Sequence, residues 1–336
     1  FMGCQKDHIL SLEEKGDQAF EKNAYKNALV LWMKAVDPGK PQYSLYYKIG
    51  KAHYKLFNID LTQEYFQRAL KLDPDAQDVR KDLIRIHLLK GNKKAARENL
   101  DLLKGHEFDY FVLSGDLHVL FNDLDKAEQM YRNALDMDKK NFRAVAKLAV
   151  CLLQAGKKNS ADNLIQTINE KGLKTTGHHL ILSDYYLLAK EYEKAENFIH
   201  SAIKKDSQDI RLKVELCRFY FEAGMKNKAK SKLKELSEKF PDNTRFKLML
   251  VDALISDQEI EYAESLLEMV EKRKDFRLEY HLLMGKLWLA KGKIAYAVSN
   301  LKTAVDENPV LISGHYLLGV AYFIGGQTKL AENSFV

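Results

Sequence analysis

The chain is short of residues that break helices and of residues that make covalent cross-links. Five prolines and seventeen glycines in 336 residues, against abundant Leu, Ala, Lys and Glu, exclude a turn-rich β architecture and favour helix throughout. Three cysteines, Cys4, Cys151 and Cys217, are too few and too scattered for a disulfide framework or a zinc site with paired CxxC spacing. Cys151 and Cys217 read as small core residues. No apolar run approaches the roughly 18 residues needed to span a bilayer. Nor is there a block of one charge: 53 basic and 47 acidic residues are interspersed for a net +6, so nucleic-acid binding is not implied. The most basic stretch, Lys226 to Lys239, has the spacing of a solvated helix face.

What the chain does have is a period. Ala127, Ala161, Ala195, Ala229, Ala263, Ala297 and Ala331 stand 34 residues apart, and Gly115, Ala149, Ser183, Cys217, Val251, Gly285 and Gly319 form a second ladder in the same register. Upstream the spacing returns as Ala28, Thr62 and Ala96 with Gly16, Gly50 and Ile84, offset by three residues. The offset predicts a third unit shortened at its connection, between Asp101 and Glu107, with its helices intact. Ten units result, starting near 9, 43, 77, 108, 142, 176, 210, 244, 278 and 312, the last cut short at Val336. A polar capping helix, with which such arrays end, is not in the sequence, which reads as a piece of a longer protein.

Each unit has two stretches of helical apolar spacing, separated by a break that carries Asn23, Gly91, Asn122, Gly156, Gly224, Gly292 or Gly326. Asn and Gly tolerate the left-handed backbone that closes helices, so every unit is predicted to be a helical hairpin. The small ladders mark close helix approach. Large apolar residues four after each alanine, from Trp32 and Phe66 to Phe335, are expected to pack hairpin on hairpin. All five prolines fall between units, as their cost inside a helix demands.

Tyr46, Ile49, Gly50, Thr62, Phe66, Ala69 and Pro74 follow, at its own spacing, a pattern of aromatic, Leu-Gly, small, aromatic, Ala and Pro. The chain thereby resembles the tetratricopeptide repeat family over almost its whole length. Units three, five, seven and eight depart from the pattern, with Leu103, Ile168, Leu236 and Val270 at the second alanine. The resemblance implies an all-α, right-handed superhelix of about ten hairpins whose concave surface, lined by the first helices, binds protein segments. On that surface it places Tyr47, Lys51 and Tyr54, Lys81 and Arg85, and Arg211, Arg218 and Phe221, an interleaving of aromatic and basic groups suited to an extended or acidic segment. The Lys and Asn pair that chaperone-binding members use is absent from these positions.

Nothing catalytic is legible: there is no GxGxxG, P-loop, GxSxG or HExxH, and no cofactor or metal is expected. The histidines recur at repeat positions, His53, His87 and His118 at one and His179, His281 and His315 at another, where aromatic residues stand in other units. They read as packed imidazoles. The opening residues, Phe1 to Asp7, look like the end of a bacterial lipoprotein signal, with Gly3 before Cys4 and a polar Gln5-Lys6-Asp7 after it. Residues 1–8 are then a lipobox-like segment and short linker, and 9–336 the array. This is similar to the tetratricopeptide lipoproteins of exosortase (PEP-CTERM) and exopolysaccharide export systems. It implies an acylated Cys4, a periplasmic scaffold anchored to the outer membrane, and a protein or peptide partner. The alternatives are a cytosolic adaptor and the repeat half of an enzyme whose catalytic domain follows Val336.

Overall fold

A computed structural model describes residues 2–335 except 105–106, 169–174, 242, 271–275 and 310, and for residues 2–11 the backbone alone. Among the described residues there are twenty α-helices and no strand, which is the all-α series of hairpins that the period predicts. They divide into two units, Phe1–Phe219 and Tyr220–Val336. The first unit contains α1 (Met2–Glu21), α2 (Tyr25–Ala35), α3 (Tyr43–Lys55), α4 (Ile59–Leu72), α5 (Gln77–Leu89), α6 (Lys93–Asp101), α7 (Phe108–Leu120), α8 (Leu124–Met137), α9 (Phe142–Gln154), α10 (Lys158–Gln166), α11 (Thr176–Leu188) and α12 (Tyr192–Lys205). The division falls inside α13 (Ile210–Glu222). The second unit continues with α14 (Lys226–Lys239), α15 (Thr244–Ser256), α16 (Ile260–Glu268), α17 (Arg277–Ala290), α18 (Ile294–Glu307), α19 (Ile312–Ile324) and α20 (Thr328–Phe335).

Every hairpin turns on one residue with positive φ. At Gly156 (φ 75°) the amide bonds Leu153 O at 3.1 Å and the next amide, Lys157, reaches back to Leu152 O at 2.8 Å. This pair of bonds closes the orphan carbonyls of α9. The seven expected breaks all have this geometry, and so do three that carry no glycine or asparagine, Phe57 (59°), Lys190 (62°) and Gln258 (62°). The same back-reaching bond is made there, for instance from Glu191 N to Tyr186 O at 2.8 Å. At these three turns the hydrogen bonds impose a backbone that the side chain disfavours.

The ladders are steric. Ala28, Ala96, Ala127, Ala161, Ala195, Ala229, Ala263 and Ala297 have no exposed surface, and neither does Thr62, whose hydroxyl donates to Asn58 O at 2.9 Å. In the other ladder a Cβ placed on Gly50 would stand 2.5 Å from the Phe66 ring, and one on Gly115 would stand 2.5 Å from Tyr131. Gly16 meets Trp32, Gly285 meets Leu301 and Gly319 meets Phe335 in the same way. Each large residue thus lies first on the small one sixteen positions before it, in its own hairpin. The expected contact with the next hairpin is also made, since Trp32 shares a core with Leu45 and Ile49, and Tyr131 with Ala144 and Leu148.

The second helix of the third unit, α6, has nine residues where α4 and α8 have fourteen. The helices α10 and α16, in units of full length, have nine as well, so the offset is taken up in the connection after α6, between Asp101 and Glu107, as the spacing predicts. In all three the helix stops before the position of the second alanine, filled there by Leu103, Ile168 and Val270. Where alanine is present, as Ala69, Ala134, Ala202 and Ala304, it is completely buried in a fourteen-residue helix. A methyl group allows the following helix to cross closely, whereas a branched side chain props it away and the chain leaves the helix. Leu236 is the exception, buried within an unbroken α14.

Candidate binding cleft

The first helices of hairpins two to five carry a continuous polar chain. Tyr47 Oη on α3 donates to Asp82 Oδ2 on α5 at 2.7 Å, and Asp82 also pairs with Arg85. Arg85 reaches Asp109 on α7 at 3.2 Å, and Arg143 on α9 bonds the same oxygen at 3.2 Å, while Lys81 lies 3.3 Å from its other oxygen. One helical turn further, Lys147 pairs with Asp116 at 3.1 Å, and Asp116 also accepts from Tyr131 Oη at 2.6 Å. Pairs this exposed are individually worth little. As a network they hold successive hairpins in one register and neutralise the basic groups of this face.

Beside the network a cleft of about 350 Å³ opens, lined by Tyr54, Leu88, Leu89, Val119, Leu120 and Val150 together with Arg85, Asp116 and Lys147. Of the residues placed on the binding surface by resemblance, the structure brings Tyr54 and Arg85 into this cleft. Tyr47 and Lys81 belong to the polar chain next to it, and Lys51 lies with its ammonium 5.3 Å from the Tyr47 ring centre. Arg211 is committed elsewhere, to Asp209 at 3.0 Å and to the face of Tyr54 at 5.0 Å. Arg218 pairs with Asp184 at 3.1 Å and with Glu215 at 2.7 Å. Phe221 lies in the second unit. The side chain of Cys4 lies outside the described residues.

The acidic partners were missed in the sequence, although a signal for them exists. Asp109 and Arg143, Asp184 and Arg218, Asp252 and Lys286, and Arg245 and Glu279 are opposite charges 34 residues apart, and all four pairs are made. A period of opposite charge at the repeat length identifies ladder pairs between first helices as directly as a period of alanine identifies close crossings.

The histidines are packed as their repeat positions predict. His53 is buried and stacked on Tyr65 with ring centres 5.4 Å apart. His179 has its Nδ1 2.9 Å from Thr175 O and meets the edge of Phe198. Cys151 is buried under the cleft, and burial pushes its thiol up to about 11, leaving it protonated and unreactive at neutral pH.

The repeats themselves define the class. Family models described as tetratricopeptide repeat match residues 43–76, 119–180 and 227–287, so the chain carries tetratricopeptide repeats. No curated protein matches it. Among solved structures it is similar to yeast Tom70, at 13% identity over 98% of this chain and 91% of that one with a TM-score of 0.42. It is also similar to the Cut9–Hcn1 hetero-tetramer of the APC/C, at 15% identity over 98% and 74% with a TM-score of 0.44. MamA from Desulfovibrio magneticus RS-1 matches at 16% identity over 48% of this chain and 92% of its own, with a TM-score of 0.43.

Proposed function

We propose that the chain is a non-catalytic scaffold that holds an apolar stretch of a partner protein in the cleft between Tyr54 and Val150. The observation that carries this reading is the composition of the walls: the cationic groups around the cleft already have carboxylate partners, and what remains open is Leu88, Leu89, Val119, Leu120 and Val150. Leu89 is 49% exposed, so covering it is favourable, and a partner leucine moved from water to full burial there contributes about 1.5–3 kcal/mol. An acidic segment would have to displace Asp82, Asp109 and Asp116 from their cations. Peptide-display selection on the full chain is expected to enrich sequences with two or more large apolar residues at short spacing, and Leu89→Glu to weaken them at least tenfold. Enrichment of acidic peptides, or equal binding by the variant, would sink the proposal.

The setting we propose is the bacterial envelope, with Cys4 acylated, the array at the outer membrane and a role in polysaccharide or protein export. The support is the Gly3-Cys4 pair followed by Gln5-Lys6-Asp7. Among the described residues no helix is long and apolar enough to cross a membrane. Two or more acyl chains would anchor firmly, since each buried CH₂ contributes about 0.8 kcal/mol. Expressed from its native start, the parent is expected in the membrane fraction and Cys4→Ser in the supernatant. A soluble parent, or a membrane-bound serine variant, would make the cytosolic adaptor the better reading.

A further inference from the structure

The first unit closes on itself. Tyr25 on α2 donates to Asp206, 181 residues away. Lys55, the last residue of α3, lies 2.8 Å from the same Asp206 oxygen and 2.9 Å from Asp209, with its ammonium also over the Tyr25 ring at 5.3 Å. Arg211, at the start of α13, completes the cluster by stacking on Tyr54, a wall of the cleft. Hairpins one and two are therefore clasped to the connection between α12 and α13.

The acids of this cluster have a local role that does not explain their burial. Asp206 ends α12 and Asp209 precedes α13, where its Oδ1 accepts from Arg211 N at 3.1 Å. Asp138 occupies the equivalent of Asp206 two hairpins earlier. There it is exposed and bonds only its own turn, at Lys140 N and Asn141 Nδ2. Asp206 is 6% and Asp209 0% exposed, so what distinguishes them is the cover supplied by α2 and α3. Two buried carboxylates are tolerable only with cations and donors on them, and Lys55, Tyr25 and Arg211 supply these. Burial works to raise Asp206, and the bonds from Lys55 and Tyr25 outweigh it, holding its carboxyl below the usual range.

We infer that Tyr25, Lys55, Asp206 and Asp209 form a releasable latch that switches the first unit between a closed turn and an open one. Closure does not depend on the cleft reading; only what opening admits does, because Arg211 on Tyr54 sets one wall of the cleft. The latch joins α2 and α3 to the connection between α12 and α13 through polar side-chain contacts, which can part without unfolding a hairpin.

The test is a spin-label distance between Lys26→Cys and Lys205→Cys in a Cys4→Ser background, both labelled positions being exposed. The parent is expected to give one narrow, short distance, and Tyr25→Phe with Lys55→Met to lose that peak to a broad, longer distribution at unchanged helical circular dichroism. Should that variant lose helix, Asp206→Asn with Asp209→Asn, which keeps side-chain volume, is judged by the same criterion. A parent without the short distance, or a folded variant that keeps it, overturns the latch. Peptide selection on Leu89→Glu fails or succeeds independently of either result.

Discussion

Gly50→Ala will destabilise the protein by about 1–3 kcal/mol, the usual effect of overpacking a filled core, and Phe66→Leu in the same chain will return most of the loss. The added methyl would stand 2.5 Å from the Phe66 ring, closer than carbon atoms approach without displacement. Phe66 is 2% exposed and bounded by Tyr47 at a ring distance of 5.4 Å, so it has little room to yield. Other hairpins show the compensated combination, with Gly285 opposite Leu301 the exception. Glycine faces an aromatic at Gly16 and Trp32, Gly115 and Tyr131, and Gly319 and Phe335. Ala149, Ser183 and Val251 instead have Ile165, Ile199 and Leu267 sixteen positions on. Urea midpoints of the two single variants and the double form a cycle whose coupling measures the pair. Additive losses would show that the small residue and the large one do not share a site.

Acidification is expected to remove about 3 kcal/mol of stability through His53. Burial drives its pKa down to about 4, against a weaker opposing influence of Glu64, while in the unfolded chain it returns to about 6.5. The folded ring thus binds a proton less readily than the unfolded one. Between these values the unfolded state carries more protons, so stability is intact above about pH 6.5 and is lost as pH falls toward 4. The amide nitrogen of Asn58 lies 3.4 Å from Nδ1, which accepts only while unprotonated. His87 is shifted the same way by its burial and steepens the loss. Urea midpoints measured from pH 7.5 to 4.5 check the sign, and His53→Gln is expected to flatten the curve. A parent whose midpoint stays level over that range would contradict the burial of a neutral ring.

The period, the hairpins and the buried ladders were legible because each repeat solves the same packing problem with the same neighbours. Ala195 and Gly115 report a local crossing, and locality is what a fixed spacing encodes. The turns at Phe57, Lys190 and Gln258 were hidden because the hydrogen bonds of the turn itself override the preference of the residue. Arg85 and Arg218 were read as available cations although each has an acid three residues before it, Asp82 and Glu215, and a second partner on an adjacent hairpin, 24 residues after Arg85 and 34 before Arg218. The latch was not legible at all. Whether Lys55 meets Asp209 depends on the rotation accumulated over the intervening hairpins, a sum to which every crossing contributes and which no single residue announces.

That contact also changes how the array comes apart. In an open stack each hairpin leans on its neighbours, and the terminal one, with a neighbour on one side only, frays first. Here Tyr25 ties the first hairpin, which already shares a core with the second, to the connection before α13. Melting from the amino-terminal end then requires the clasp to break before the first hairpin is released. The cost appears in folding, since a contact across 181 residues closes a long loop and can form only after the hairpins inside it have stacked.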